Sequence, residues 1–404
     1  MRRERWLVGT TEYAGLTSYT GGIGRHYAAL VPALARQGVV VDLVVFSGAE
    51  PVEGAALPGV HKLFFERTDG MSRLAALRHR ARRLRDIARG GNYARIFVPE
   101  WSALGAALPR RAPLLTNLAT GMRLANEISG LRLRDLPASS WAPVVAQMLL
   151  EARQIRRSAG LIAISTAMRD RTAAAFRRLP PTCVVRNCID VLAIRAAAHA
   201  GVLPPGWPAG DGPMLLFLGR SERRKGVVDS FAAFGLLSER MPGVRIVLAG
   251  AGGDARFEPT RAALLDALPP PARAQVTWLG HVPGDELYAA IRAADVALCP
   301  SRWEGFGNVG LEVKALGTPL VVTTGSGFDD FCEDGIDALM VPPADPQALA
   351  AALQRLLDDP ALGVQLTARA SERVEAFAPD PVAVDLLAAA DELMGPTRAS
   401  DHGP

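Results

Sequence analysis

The chemically most suggestive stretch of the chain is a glycine-rich turn with the sequence Glu304-Gly-Phe-Gly-Asn308, which follows a predicted strand. A helix is expected to open at about Asn308, which we interpret as its N-cap. Backbone N–H groups at a helix start attract anions, and glycines allow a ligand to approach them closely. The turn therefore predicts a site for a diphosphate, formed by Gly305, Phe306, Gly307 and Asn308.

Two glutamates flank the start of this helix, Glu304 in the turn and Glu312 in the helix itself. A loop and a helical turn should separate them by more than the ~5 Å between the paired carboxylates of a retaining glycosidase. We therefore expect them to contact different parts of one extended ligand, with Glu304 on a sugar ring and Glu312 on ribose hydroxyls.

This segment resembles the signature of the retaining nucleotide-sugar glycosyltransferases of family 4, which have the GT-B fold. The signature has two glutamates separated by seven residues, then Ala-x-Gly-x-Pro-Val-Val. The matching positions here are Glu304, Glu312, Ala315, Gly317, Pro319, Val321 and Val322. The resemblance implies sugar transfer from a nucleoside-diphosphate sugar to a hydroxyl acceptor, with retention of configuration and with neither a metal nor another cofactor.

The segment Phe217-Leu-Gly-Arg-Ser-Glu-Arg-Arg-Lys-Gly226 looks like the phosphate clamp of this family. The resemblance implies that Arg220 and Lys225 neutralise the departing diphosphate. Lys225 is one of only three lysines in an arginine-rich chain, so composition does not explain its presence. The alternative is a surface cluster of cations without a ligand. We assign no general base, since in this family the departing phosphate can take the acceptor proton.

Other segments resemble the parts of the family that surround the donor. Gly22 and Gly24 lie in Thr20-Gly-Gly-Ile-Gly, similar to a loop whose backbone contacts the donor phosphate or the acceptor. Two strand-end segments are similar to those that hold the nucleoside. They implicate Gly250, Gly252, His281 and Val282.

The first half of the chain resembles the family less closely. Its Val-Pro-Glu-Trp segment, which contains Glu100, looks like a branch in which the next strand carries a histidine that contacts the donor sugar. Register places Ala119 at that position. This implies a donor that lacks the C6 hydroxyl, such as a 6-deoxyhexose or a pentose, unless Thr120 or Asn117 takes over the hydrogen bond or a water molecule fills the gap. We assign four residues to the acceptor side: Gly24, Glu100, Ala119 and Thr120.

The elements that must position these residues are short apolar runs alternating with helical segments, which is typical of parallel α/β sheets. The predicted fold is GT-B, with two Rossmann-like, doubly wound domains facing one another across a cleft. Ligands of such sheets bind at the carboxyl ends of the strands. The predicted parts are an acceptor-side domain (1–200), a linker (201–213), a nucleotide-sugar domain (214–380), a helix that packs back on the first domain (381–394) and a tail (395–404).

Composition excludes several classes of protein. With 404 residues, 49% of them hydrophobic and 21% charged, the chain is too apolar for disorder. Its four cysteines form no CxxC pair and no zinc-like cluster, which favours a reducing, cytoplasmic location. No apolar run approaches the ~18 residues that cross a bilayer. No aromatic or groove-reading motif accompanies the positive charge, which argues against nucleic acid.

Seven arginines between Arg73 and Arg89 predict a basic amphipathic helix. Such a helix is either a solvated face or a site for anionic lipid or an acidic acceptor, in which case the protein would bind peripherally at the inner membrane face. The acceptor itself stays open among small molecules, glycans and lipid-linked glycans.

Two other functions stay open. Gly250-x-Gly252-x-x-Ala255 suggests a dehydrogenase, but it lies in the second strand of its domain and lacks the acidic partner of that fingerprint. A non-catalytic nucleotide-sugar binder is suggested by Ala119. The phosphate clamp argues against it, because a binder gains little from stabilising a leaving group.

Overall fold

The computed structural model describes residues 4–254 and 256–396, which form two compact units. Unit 1 consists of Met1–Ile189 and Phe377–Pro404, and unit 2 of Asp190–Ala376. The strands are β1 (Arg5–Thr10), β2 (Val40–Ser47), β3 (Val60–Arg67), β4 (Arg95–Pro99), β5 (Leu114–Leu118), β6 (Gly160–Ala163), β7 (Thr182–Val184), β8 (Met214–Leu218), β9 (Arg245–Ala249), β10 (Val276–Gly280), β11 (Val296–Cys299), β12 (Leu320–Thr323) and β13 (Leu339–Val341).

Most helices lie between these strands in the chain, and the last three follow β13. They are α1 (Gly22–Arg36), α2 (Arg73–Arg89), α3 (Met122–Ile128), α4 (Ala138–Arg157), α5 (Thr166–Ala175), α6 (Val191–Ala200), α7 (Val227–Arg240), α8 (Arg261–Asp266), α9 (Pro270–Arg273), α10 (Gly284–Ala293), α11 (Asn308–Leu316), α12 (Pro346–Asp358), α13 (Pro360–Arg373) and α14 (Pro379–Met394).

Each unit is built on one parallel sheet. The order is β3-β2-β1-β4-β5-β6-β7 in unit 1 and β10-β9-β8-β11-β12-β13 in unit 2. The winding direction therefore reverses between β1 and β4 in the first sheet and between β8 and β11 in the second. At such a switch point the two loops diverge and leave a crevice at the carboxyl ends of the strands. The predicted doubly wound α/β architecture is confirmed.

The core of each unit follows from its apolar strands. Trp6, Tyr27 and Phe97 are fully buried in unit 1, and Phe217 and Phe234 in unit 2. Helix α14 packs against α1 and β6 of unit 1, although it follows unit 2 in the chain. Its apolar face joins the core of unit 1 through Val382, Ala383, Leu386, Ala389 and Ala390.

The two units meet in the chain between Ile189 and Asp190, which precedes the predicted linker at 201–213. The reason is helix α6, which packs against α10 and α11 and so belongs to unit 2. Helix α6 is capped by the side chain of Asp190, which accepts a hydrogen bond from Ala193 N at 2.9 Å.

Two strands were not predicted. β3 lies at the edge of its sheet and is partly exposed along most of its length, so its pattern is not that of a buried strand. β13 has only three residues. None of the helices formed by the described residues is long and apolar enough to cross a membrane. The four cysteines, all within the described residues, are thiols that form no disulfide with one another, and all but Cys183 are buried.

Candidate active site

Two loops meet at the switch point of unit 2, one after β8 and one after β11. The first contains a 3₁₀ turn at Arg223–Lys225. Arg302 in the second loop donates its backbone N–H to the Arg224 carbonyl at 2.8 Å. Its guanidinium donates two hydrogen bonds, both 3.0 Å, to the Asp229 carboxylate of α7. The two loops are therefore held together before any ligand binds.

Lys225 and Glu304 form an ion pair at the centre of this site. Ser301 Oγ donates to the same Glu304 oxygen at 2.9 Å, and the Arg224 guanidinium lies 3.9 Å from it. Burial alone would raise the pKa of Glu304, but the charges of Lys225 and Arg224 outweigh it, so the pKa lies below its ordinary value. Glu304 is consequently an anion held by half-buried cations.

Arg220 is the most exposed cation of the predicted clamp, with 53% of its side chain accessible. It pairs with Glu222 at 2.8 Å, and Arg224 pairs with the other oxygen of Glu222 at 3.1 Å. Sequence reasoning did not select Arg224 or Glu222. Arg224 contacts Glu222, two residues away, and Glu304, 80 residues away. The sole sequence signal for these contacts was the position of Arg224 in a run of cations.

Helix α11 begins directly after the glycine turn, but its N-cap is Gly307 and not Asn308 as predicted. Asn308 is the first helical residue. Gly307 has a φ of 98°, in the left-handed region that favours glycine, and a Cβ there would lie 2.4 Å from the Phe328 ring. This turn points the chain into the helix one residue earlier than a side-chain cap at Asn308 would.

Phe306 and Glu312 are both buried. The ring of Phe306 is 2% exposed and packs 5.1 Å from that of Phe331, so its side chain belongs to an aromatic cluster and only its backbone is suited to a ligand. Glu312 is 1% exposed. Burial raises the pKa of the Cys299 thiol at the end of β11, and the charges of Lys225, Glu304 and Glu312 also act on it. These three side chains therefore all lie near the end of β11.

The predicted nucleoside residues lie at the ends of β9 and β10, on the same edge. Gly250 donates its N–H to the Gly280 carbonyl at 2.7 Å, and Gly252 pairs with Ser221 of the loop after β8. His281 is exposed and Val282 is buried. Gly250 and Gly252 lie alongside the clamp loop, whereas His281 and Val282 follow the end of the neighbouring strand β10. Ala255 lies outside the described residues.

In unit 1 the backbone N–H groups of the predicted glycine loop are bound by a carboxylate of the chain itself. The two carboxylate oxygens of Glu12 accept hydrogen bonds from Gly21 N at 2.7 Å and Gly24 N at 3.0 Å, at the start of α1. A Cβ on Gly24 would lie 2.8 Å from Thr20 and 3.1 Å from Glu12. The spacing of Gly21, Gly22 and Gly24 thus fits Glu12, a residue that the sequence prediction had not selected.

A second carboxylate organises the turn after β5. Glu100, which is 2% exposed, accepts hydrogen bonds from Ala119 N at 2.7 Å and Thr120 N at 2.8 Å. Thr120 has a φ of 104°, a strained value for a residue with a side chain. Glu100 therefore positions the turn that carries the two residues predicted on the acceptor side.

Glu151 of α4 completes this arrangement. It accepts hydrogen bonds from Met122 N at 2.6 Å, Ser102 N at 3.2 Å and Gln147 Nε2 at 2.7 Å. Burial raises the pKa of both Glu100 and Glu151 to about 7, although the hydrogen bonds from backbone N–H groups oppose this. Asn117, one proposed substitute for the missing histidine, is buried and donates to the Ile162 carbonyl at 3.3 Å.

No group of three or more His, Cys, Asp or Glu side chains within 4–254 and 256–396 is arranged to hold a metal ion. The charges at the β8–β11 switch point are instead supplied by Lys225, Arg224 and Arg220. They lie at the same edge of the sheet as the start of α11, so positive charge is concentrated there.

Comparison with known proteins identifies the family. Residues 212–359 match the model for glycosyl transferases group 1, and residues 20–191 match the model for glycosyltransferase family 4. The chain belongs to this family, as predicted, and is a glycosyltransferase of the EC 2.4 type that uses a nucleotide-sugar donor.

Among curated relatives, the chain is 30% identical to glycogen synthase of Mycobacterium tuberculosis over 87% of its own length and 86% of that protein. It is 29% identical to the D-inositol 3-phosphate glycosyltransferase of Kineococcus radiotolerans, over 89% and 88%. Sucrose-phosphate synthase of Thermosynechococcus elongatus superposes with a TM-score of 0.73 at 20% identity, over 97% and 99% of the two chains. This likeness confirms the GT-B fold.

Proposed function

We propose that the protein transfers a sugar from a nucleoside-diphosphate sugar to a hydroxyl acceptor, with retention of configuration and without a metal ion. The observation that carries the proposal is the Lys225–Glu304 pair at the β8–β11 switch point, next to the start of α11. A cation, a carboxylate and a row of backbone N–H groups are then within reach of one diphosphate and the sugar attached to it.

The ion pair gives this site a way to respond to its donor. A diphosphate that binds Lys225 competes with Glu304 for the ammonium group, which frees the carboxylate to accept hydrogen bonds from the sugar. Arg220, which is largely exposed, adds a second cation. As the glycosidic bond breaks, charge develops on the diphosphate, and these fixed groups together with the helix dipole stabilise it.

Two features argue against the alternatives. Among the described residues that follow Gly250 and Gly252, the first helix begins at Arg261, too far along the chain to offer its N-terminus to a dinucleotide at these glycines. A protein that only binds the nucleotide sugar would gain affinity for the diphosphate from the exposed Arg220 alone and would not need the other cations. The convergence of Lys225, Arg224 and Ser301 on Glu304 instead fits a site that stabilises a leaving group.

The identity of the donor is open to direct measurement. UDP-, GDP-, ADP- and dTDP-sugars are screened by thermal shift, and a donor at 100 times its dissociation constant should stabilise the protein by about 2.7 kcal/mol. The product anomer is then determined by NMR with the donor that binds. Inversion of configuration would refute the proposed retention, and donor binding without release of nucleoside diphosphate would favour the binding protein.

The donor sugar is proposed to lack its C6 hydroxyl, as in a 6-deoxyhexose or a pentose. The side chain of Ala119 cannot form a hydrogen bond, and the Asn117 amide donates to the Ile162 carbonyl of β6. A site closed around the sugar would leave the C6 hydroxyl without a hydrogen bond, at a cost of roughly 1–3 kcal/mol, unless the Thr120 hydroxyl accepts a hydrogen bond from it. GDP-mannose and its 6-deoxy counterpart are compared in competition. A preference of about tenfold for the hydroxylated sugar would overturn this part of the proposal.

A further inference from the structure

Helix α4 of unit 1 exposes an apolar stripe. Trp141, Val145 and Leu149 follow one another at intervals of four residues, so they share one helix face. They are 45%, 37% and 67% exposed, whereas the opposite face, with Val144, Gln147 and Glu151, is buried. The Trp141 indole N–H donates to the Leu136 carbonyl at 3.0 Å, which leaves the ring itself as an apolar surface.

The stripe continues into a cavity. A space of about 220 Å³ lies between α3, α4 and α5, and Leu149 belongs to both the stripe and the cavity wall. The remaining apolar lining includes Leu124, Met148, Ile155 and Phe176. This volume is smaller than the 300–1,000 Å³ typical of sites for whole ligands, so it suits one end of a longer apolar chain.

Positive charge surrounds this apolar surface. Residues 121–180 contain ten arginines and four acidic residues, a net charge of +6, against +4 for the entire chain. Arg123 and Arg156 line the mouth of the cavity, where Arg156 lies 5.3 Å from the Phe176 ring. Within the described residues, Arg123 has no ion-pair partner. Three acids line the cavity: Glu127 pairs with Arg171 at 2.9 Å, and Glu100 and Glu151 are buried.

The basic helix α2, which the sequence put forward as a lipid contact, differs in this respect. Its apolar residues Leu77, Leu84 and Ile87 are buried against unit 1. Several of its arginines are engaged locally, such as Arg83 with Glu66 at 2.8 Å and Arg80 with Thr68 at 3.0 Å. Helix α2 therefore exposes charge without apolar surface, whereas α4 exposes both.

We propose that one surface, here called the α4 face, binds an anionic lipid bilayer; it is formed by Trp141, Val145, Leu149 and Arg156 of α4 and by Arg123 of the neighbouring α3. The three apolar side chains enter the acyl region, an acyl-chain end occupies the cavity, and the two arginines contact lipid phosphates. An exposed apolar stripe with a tryptophan and flanking cations is the composition that binds at such an interface. The cavity is also lined by Glu100 of the predicted acceptor side, whereas none of the five residues of this face belongs to the donor site.

The test is co-sedimentation of the full chain with phosphatidylcholine vesicles, with and without phosphatidylglycerol. We expect binding that requires phosphatidylglycerol. The double variant Trp141→Ala/Leu149→Ala should lower the partition coefficient roughly tenfold or more, because both side chains lose buried apolar area. Arg123→Gln/Arg156→Gln should reduce binding by a similar factor. All of these positions are exposed, and unfolding curves verify that each variant is folded.

The matched control is Arg78→Gln/Arg82→Gln on α2, which removes the same charge without touching the α4 face. It should bind within about twofold of the unaltered protein. Brominated lipids should quench tryptophan fluorescence in the unaltered protein and much less in Trp141→Phe. Failure of the protein to bind phosphatidylglycerol vesicles, or equal binding by the Trp141/Leu149 variant, would overturn the proposal.

A second copy of the chain is the competing occupant. Light scattering that shows a dimer, converted to monomer by Leu149→Ala, would also overturn the proposal, since the stripe would then be a protein interface. Donor binding, measured by thermal shift, should be unchanged in every α4 variant. Loss of lipid binding with intact donor binding therefore separates this proposal from the proposed function.

Discussion

Both switch points contain a carboxylate close to the start of a helix, but the groups that bind the carboxylate differ between the two sheets. In unit 2 the carboxylate of Glu304 is held by the side chains of Lys225 and Ser301, while the start of α11 lies beside them. In unit 1 the carboxylates of Glu12 and Glu100 are held by backbone N–H groups, at the start of α1 and in the turn after β5. The sheet edge of unit 2 therefore concentrates cations, whereas at the edge of unit 1 the chain's own carboxylates accept the hydrogen bonds of these backbone N–H groups.

The difference teaches which edge can take a phosphate. An anion that approaches α1 meets N–H groups that Glu12 already satisfies, and it must displace a carboxylate of its own charge. An anion that approaches the loop after β8 also competes with carboxylates, Glu222 at Arg220 and Glu304 at Lys225, but the partners there carry full positive charges and Arg220 is 53% accessible. We therefore assign the donor diphosphate to unit 2, and we infer that the glycine loop of unit 1 serves mainly to shape its own edge.

The largest effect is expected from Lys225→Ala. Removing this cation should lower turnover at least about a hundredfold, on the order of 3 kcal/mol in the barrier, because the leaving diphosphate loses a fixed charge. Arg223→Ala in the same turn is the control, since Arg223 is exposed and its backbone, not its side chain, bonds to Glu258. Steady-state kinetics measure both. Near-normal turnover of the Lys225 variant would remove the clamp from the mechanism.

On the opposite edge, Glu100→Ala should act on stability. The substitution leaves the N–H groups of Ala119 and Thr120 without their acceptor, at a cost of about 2 kcal/mol or more. Glu127→Ala is the matched control, because its carboxylate is exposed and pairs only with Arg171. Denaturant unfolding compares the two. Equal stability of both variants would show that the carboxylate is not what holds this turn.

A smaller effect is expected from pH on the same edge. The pKa of Glu100 and of Glu151 is raised from 4.5 to about 7, so between these values the folded protein binds more protons than the unfolded chain. Their contribution to the free energy of unfolding therefore falls as pH rises through this window. Glu100→Gln and Glu151→Gln should gain stability relative to the unaltered protein from pH 5 to pH 8. Glu127→Gln should follow the unaltered protein, and parallel curves for all variants would contradict the assignment.

No effect is expected from chelation. Because cations of the protein occupy the phosphate edge of unit 2, EDTA should leave turnover unchanged. The assay is run with the donor identified by thermal shift. If activity is lost and then returns on addition of Mg²⁺ or Mn²⁺, the assignment of the phosphate site to Arg220 and Lys225 is wrong.

The features that the sequence predicted are those with local patterns. The alternation of apolar runs and helices predicted both sheets, and the spacing of Glu304 and Glu312 predicted the family. The sequence analysis did not predict the residues that act through contacts with distant parts of the chain. Glu12 lies nine positions before the first N–H group that it binds, and Glu151 lies 29 positions after the one at Met122. Carboxylates bound to backbone leave no motif, since any residue type can supply the N–H group.

The position of α14 sets an order of events during synthesis. Unit 2 ends at Ala376, so all of its strands have left the ribosome before α14 is made. The core of unit 1 still lacks Val382, Leu386 and Ala390 at that time, and the apolar surface that they cover is open to water and to chaperones. The half of the protein that is translated first is thus the half that finishes folding last.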